Sequence, residues 1–364
     1  MELKKDHVYE LLRRSIMDGS LPPGHRLPPE VRLARELQVG QVTLRSALAR
    51  LEREGLVERI RSQGTFVSER NVRKVFLFII PDGAEDLETP SRYIAAGVDE
   101  AARASAVTVE RCPVSLFLAF SEEERHEMVR RRAISGVIVE TGHRRIDPAV
   151  VEAVRGLGLP AVIPHGLPSD AKDSGFLVLR TDEKAAFARA YEYIASRGHR
   201  DIASLFIRLP GEVNENMRGF TPAELRECIA ARRLNPADEL IAYLPNDQEV
   251  IREQLRFWRE HAAKPSAILC HSDRVAMRVF ALLREMKVRI PEEVSLMGYS
   301  NFPGSQLIQP ALTTIDTRLR ECAAMALKEL LDAGKWFHPG RTPKEILTPF
   351  NLIERESVAV IDRA

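Results

Sequence analysis

Cysteine is scarce in this chain: four residues in 364, and Cys112, Cys228, Cys270 and Cys322 stand far apart. No Cys-x-x-Cys pair is present to hold a metal or exchange disulfides, and the count is too low for a disulfide-stapled scaffold. Reduced, buried thiols are expected. No run of 18 apolar residues occurs, and Met1-Glu2-Leu3-Lys4-Lys5-Asp6 has no apolar export core, so neither a membrane span nor secretion is expected. A phosphate-binding loop is missing as well. His126-Glu127-Met128-Val129-Arg130 lacks a second histidine for zinc, and Gly298-x-Ser300-x-Phe302 lacks the second glycine of a nucleophile elbow. Gly156-x-Gly158-x-x-Ala161 precedes its apolar run instead of following one, which is the wrong order for a dinucleotide fingerprint. No catalytic residue, metal site or cofactor is assigned.

Net charge is also small, +1 overall, but it is unevenly spread. Residues 1–75 carry 15 Lys and Arg against 10 Asp and Glu, whereas residues 76–364 carry 38 against 42. A basic head on a slightly acidic body fits a nucleic-acid contact at one end. The length calls for two or three domains.

Within the head, Leu44, Ala47, Leu48 and Leu51 recur at the spacing of a helix with one buried side, and Gln41, Thr43, Arg45 and Arg50 fall off that stripe. A shorter helical pattern over 29–37 precedes it, separated only by Val39 and Gly40, which is helix-turn-helix spacing. Strand, Gly-containing turn and strand follow over 56–67 and read as a wing. His7 to Met17 is predicted as a further helix, with Val8, Leu11, Leu12 and Ile16 inward. Gly19-x-Leu21-x-Pro23-Gly24-x-x-Leu27-Pro28, Thr43-x-Arg45-x-Ala47-Leu48, Glu54-Gly55-Leu56-Val57 and Gly64-Thr65-Phe66-Val67 resemble the GntR-family winged-helix DNA-binding domain. Pro29 stands where that family usually has serine, so a side-chain helix cap is missing and proline at the first turn is expected to substitute.

After a polar stretch at 68–74, strand-length apolar runs recur at 75–80, 136–139, 161–163, 202–207, 267–270 and 294–297, with helical patterns between them. Buried strands alternating with helices indicate an α/β protein with largely parallel sheets. Ser135-Gly136-Val137-Ile138-Val139, Gly198-His199-Arg200-Asp201-Ile202-Ala203, Ser272-Asp273, Ile290-Pro291 through Gly298-Tyr299, and Pro310-Ala311-Leu312-Thr313-Thr314 resemble the LacI/GalR effector-binding domain. That resemblance implies a periplasmic-binding-protein-like fold of two subdomains with a ligand cleft between them. The expected division is a DNA-binding domain over 1–70 and an effector-binding and dimerisation domain over 71–364, with the linker at about 68–74.

A recognition helix places its N-terminal residues on base edges. Gln41, Thr43 and Arg45 are therefore the base-contact candidates, with Arg45 suited to guanine and Gln41 to adenine. The family usually has arginine at the position of Gln41, which implies an altered operator preference. Arg50, Arg26 and Arg32 are expected at phosphates, and the wing tip, including Gln63 and Gly64, in the minor groove.

For the cleft, the LacI/GalR resemblance implies Asp273 as a sugar-hydroxyl ligand, a position that also suits capping of the helix starting there. Asn216, His165 and Asn301 replace charged residues common in that family, and Asp182, Tyr93 and Arg92 complete the candidate set. The two resemblances together imply a cytoplasmic bacterial transcription regulator, nucleoid-associated when bound to double-stranded operator DNA. It is expected to be a homodimeric repressor answering to a sugar-like effector. Two alternatives are a sugar-binding protein without DNA regulation and a GntR regulator with a pyridoxal-phosphate body; the basic head opposes the first and the body landmarks oppose the second.

Overall fold

The computed structural model describes residues 2–17, 20–60, 63–68, 74–83, 90–142, 144–208, 219–261, 264–337 and 345–361. The head comprises α1 (Glu2–Met17), α2 (Glu30–Glu36), α3 (Gln41–Arg53) and an antiparallel hairpin of β1 (Val57–Ile60) and β2 (Gly64–Val67). Its core joins Val8, Leu12 and Ile16 of α1 to Leu33 and Ala34 of α2 and to Leu44, Ala47, Leu48 and Leu51 of α3. Leu11, expected inward, is 41% exposed, and Tyr9 takes the inward place. The physical reason is polar: the Tyr9 hydroxyl donates to Glu54 Oε2 at 2.6 Å while its ring underlies the Arg50 guanidinium. Pro29 is the N-cap of α2 rather than its first-turn residue and supplies no side-chain bond.

Lobe 1 of the body begins with β3 (Val75–Ile80), α4 (Pro90–Ala104), β4 (Thr108–Pro113), α5 (Val114–Ala119), α6 (Glu122–Arg132) and β5 (Ile134–Val139). It continues through α7 (Pro148–Gly156), β6 (Ala161–Ile163), α8 (Pro168–Asp173) and β7 (Leu177–Thr181). The chain then crosses to lobe 2 with α9 (Glu183–Ser196), β8 (Ile202–Arg208), α10 (Pro222–Ala230), β9 (Ile241–Pro245), α11 (Gln248–Glu260), β10 (Ala267–Cys270), α12 (Asp273–Glu285), β11 (Ser295–Tyr299) and β12 (Thr313–Asp316). It returns to lobe 1 with α13 (Leu319–Leu331) and β13 (Ile346–Thr348), and ends in lobe 2 with β14 (Asn351–Ile353).

The sheets run β13-β7-β6-β5-β3-β4 and β14-β12-β11-β10-β8-β9. Every pairing in them is parallel except β12 with β14. Three crossings therefore join the lobes, at 181–183, 316–319 and 348–351. Two are tied together where the buried hydroxyls of Thr181 and Thr348 approach to 3.4 Å. The third is fixed by α13, which lies against α4 so closely that Gly97 packs on the Arg320 backbone. Each free cysteine sits in this body; Cys112, Cys270 and Cys322 are buried and Cys228 is half-buried, so only the last departs from expectation. Burial pushes all four thiols up, away from the reactive thiolate.

Candidate DNA interface and effector cleft

Helix α3 separates its faces sharply. Leu44, Ala47, Leu48 and Leu51 are at most 2% exposed, while Gln41 and Val42 in the first turn and Arg45 one turn later face solvent, with Thr43 half-buried. Val42, unremarked in the sequence, is an apolar side chain 74% exposed in the first turn of α3. Gly40 caps the helix without a side chain, leaving its first N–H groups open toward an anion.

The arginines divide by environment. Arg45 Nε donates to Glu30 Oε2 at 2.6 Å. Arg32 forms an i,i+4 pair with Glu36 at 2.7 Å and is 73% exposed. Arg26 lies under the wing, bridging Phe66, and a Cβ at Gly64 would meet its Nε at 3.3 Å. Gln63 and Gly64 are exposed at the hairpin end, whereas Arg61 and Ser62 of the expected wing tip lie outside the described residues. Arg50 is exposed on the far end of α3, its guanidinium stacked 3.7 Å over the Tyr9 ring and 3.4 Å from Glu54, a contact that also braces α1 against α3.

The cleft gathers at the C-terminal ends of the parallel strands, the position open α/β sheets use for ligands. On lobe 1, Tyr93 is half-buried and Arg92 exposed at the start of α4. Beside them the buried pair Ser91 and Glu140, absent from the sequence candidates, is joined by a 2.6 Å bond, and Glu140 also accepts from Gly142 N. A lone glutamate after a strand carries no motif, so only the fold identifies it. His165 is 4% exposed with left-handed φ, and its backbone bonds the Cys322 thiol beneath α13. Asp182 caps α9, accepting from Ala185 N at 3.1 Å.

From lobe 2, Phe302 reaches across and stacks on Tyr93, centroids 5.0 Å apart. Burial raises the Tyr93 phenol against the pull of Arg92, so it stays a neutral donor. Asn301, also in left-handed backbone, donates to Asp316 and accepts from Arg355. Asp273 is fully enclosed, with Phe302 N and the Thr314 hydroxyl donating to its two oxygens at 2.7 and 2.6 Å. Ser272, not Asp273, caps α12. In this conformation Asp273 thus holds the loop bearing Phe302 and presents no oxygen to the cleft. Burial outweighs those bonds and lifts its carboxyl to about 6. Asn216 lies outside the described residues, as does most of the expected linker. Among the described residues no helix is long and apolar enough to cross a membrane.

A winged helix with an open reading face, joined to two lobes with a cleft at their strand ends, defines a ligand-responsive DNA-binding regulator. The sequence pattern of the gntR family of bacterial regulatory proteins matches residues 4–67, and that of the periplasmic binding protein-like domain matches 191–358. The chain is a bacterial transcriptional regulator that carries a gntR-family head on a periplasmic-binding-protein-like body. The arabinose metabolism transcriptional repressor of Halalkalibacterium halodurans is 26% identical over 373 residues, covering 99% of this chain and 97% of that one. A LacI-family regulator from Rhizobium etli shares the fold with a TM-score of 0.62 at 21% identity, covering 79% of this chain and 99% of that chain. Another from Enterococcus faecium, with bound ribose, gives a TM-score of 0.57 at 21% identity, covering 79% of this chain and all of that one.

Proposed function

We propose that the chain is a cytoplasmic repressor whose paired heads bind a pseudo-palindromic operator and whose cleft binds a sugar or sugar derivative that releases the DNA. The observation that carries the DNA half is the reading face of α3, with Gln41, Val42 and Arg45 exposed beside a fully buried stripe. The body starts near residue 71 in this reading. Homodimerisation follows in this reading from the operator, because a pseudo-palindromic site pairs two heads. Acting on the chromosome places the protein in the cytoplasm, at the nucleoid while bound. It acts by binding, with no chemical step.

The sugar reading is supported by the mixture of hydroxyl, amide and aromatic groups at the cleft and by the names of the relatives. The cleft can couple to the heads because Phe302 of one lobe stacks on Tyr93 of the other, so an effector between the lobes changes their preferred separation. An effector acts only through its differential affinity for the two arrangements.

Two measurements test this. Arg45→Ala is expected to weaken operator binding by about 1–3 kcal/mol and to relax preference at one base pair. Identical affinity of both proteins for operator and for scrambled duplex would remove Arg45 from that role. In a thermal-shift panel of pentoses, hexoses, uronic acids and their phosphates, a true effector at 100 times its Kd stabilises by about 2.7 kcal/mol. The shift should vanish in Tyr93→Ala; its survival there would move the ligand out of this cleft.

A further inference from the structure

Lys74 ends the polar stretch at 68–74 and directly precedes β3. Its carbonyl accepts from Thr108 N at 3.0 Å, which ties its backbone to the lobe 1 sheet. Its side chain goes elsewhere. Lys74 Nζ donates at 3.1 Å to the carbonyl of Leu331, the last residue of α13. A helix end leaves four carbonyls without intrahelical donors. In α13 the N–H of Asp332 serves Lys328 and Leu330, and the Trp336 indole donates to the Glu329 carbonyl at 2.9 Å. Lys74 supplies the donor for the last carbonyl, and its charge suits the negative end of the helix dipole.

The opposite end of α13 is bonded to the cleft. Arg318, in left-handed backbone at the N-cap, donates its N–H to Asp316 Oδ1 at 2.8 Å. Asp316 Oδ2 in turn accepts from the Asn301 amide at 3.1 Å, and Asn301 adjoins Phe302, which stacks on Tyr93. A helix of 13 residues, about 20 Å long, thus runs from the cleft loop to the residue at which the body meets the stretch leading to the head. An exposed ammonium on a carbonyl adds little to folding stability, so stability does not account for this contact. Its position does: two distant sites communicate when one element with two arrangements is biased from both.

We propose that Lys74 is the output contact of the effector response: α13 carries movement of the cleft loop to the stretch leading to the head, through the Lys74 side chain held on Leu331. The inference rests on the DNA-binding and cleft readings above. Coupling is reciprocal, so DNA bound at the head acts back on α13 and the cleft loop by the same route, and the effector need not be known. To test it, the wild-type full chain is used to select a duplex from a randomised pool. Hydrogen exchange with and without saturating duplex is then followed in α3, in the last turn of α13 and in the loop at 300–307 for wild type, Lys74→Met, Lys74→Arg and Lys335→Met. Lys335 is the control, its ammonium pairing with Asp332 at the same helix end at 3.0 Å.

In wild type the duplex should change exchange roughly fivefold in the last turn of α13 and in the cleft loop, the low end of allosteric coupling. Lys74→Met should keep the protection of α3 and lose both distant changes. Lys74→Arg, which keeps a donor, should recover them, and Lys335→Met should behave as wild type. Distant changes that survive in Lys74→Met, that vanish equally in Lys335→Met, or that are absent from wild type while α3 is protected would each overturn the proposal. Should Lys74→Met alter the exchange of β3 without duplex, Lys74→Gln carries the comparison, and survival there overturns it in the same way. A wild-type chain that enriches no sequence would instead refute the DNA-binding reading itself.

Discussion

Replacing Gly97 with valine is expected to lower the unfolding free energy by about 3 kcal/mol, at the top of the usual overpacking range. A Cβ at this position would fall against the carbonyl oxygen of Arg320, with the Cα and carbonyl carbon of the same residue at 2.8 and 2.9 Å. These are backbone atoms of α13, so no flexible side chain can yield. The two helices bury Ile94, Val98 and Ala102 against Leu319, Cys322, Ala323 and Ala326, and separating them loosens that whole layer. Because α13 follows directly on a crossing between the lobes, its displacement should also blunt the response to effector. Urea denaturation gives the comparison, with Gly156→Ala as control. Gly156 ends α7 with nothing within 4 Å of a Cβ, and its replacement should stabilise by about 0.5 kcal/mol. Losses of similar size at both sites would show that close helix packing is not the cause.

The recognition helix was legible because its period is long and its faces differ: every member of the predicted stripe is buried. The first helix shows the limit of that signal. A stripe of Val8, Leu12 and Ile16 admits either Tyr9 or Leu11 as its flank, and the choice was made by Glu54, 45 residues away in the chain. In the body, the six apolar runs all became strands. Six strands escaped notice, β7, β9 and β12 among them; of the rest, β4 is an edge carrying Glu110 and Arg111, and β13 and β14 have three residues each. The cleft was legible only as positions. Asp273 was singled out as a ligand, but its partners Phe302 and Thr314 arrive from 29 and 41 residues downstream, and sequence spacing holds no trace of that enclosure. The Arg45–Glu30 pair escaped for the same reason, its partners lying 15 residues apart on different helices.

Asp273→Ala is expected to cost about 3 kcal/mol at pH 7, while Asp273→Asn should be close to wild type there. Two opposing effects decide this. Alanine strands the buried Phe302 N–H and Thr314 hydroxyl, at about 1–3 kcal/mol for each lost partner; the charge it removes had itself been costly to bury, which offsets part of that loss. Asparagine removes the same charge yet can still accept from Phe302 N, and its amide can donate to a Thr314 hydroxyl turned to accept. The pH dependence separates the variants further. The native carboxyl at about 6 lies above its unfolded value of 3.8, so between them the native state binds the extra proton. The resulting stability is fully present below about 4 and is lost as pH rises through 6. Wild type should therefore gain up to about 3 kcal/mol over Asp273→Asn between pH 7 and pH 4. His199 acts in the opposite sense, its pKa being lowered by burial, but it is common to both proteins and cancels in the difference. The same variants read the cleft. If Asp273 works by holding the Phe302 loop against Tyr93, Asp273→Ala should lose the effector-induced thermal shift and Asp273→Asn should keep it. Loss in both would instead require the carboxylate charge itself at the ligand.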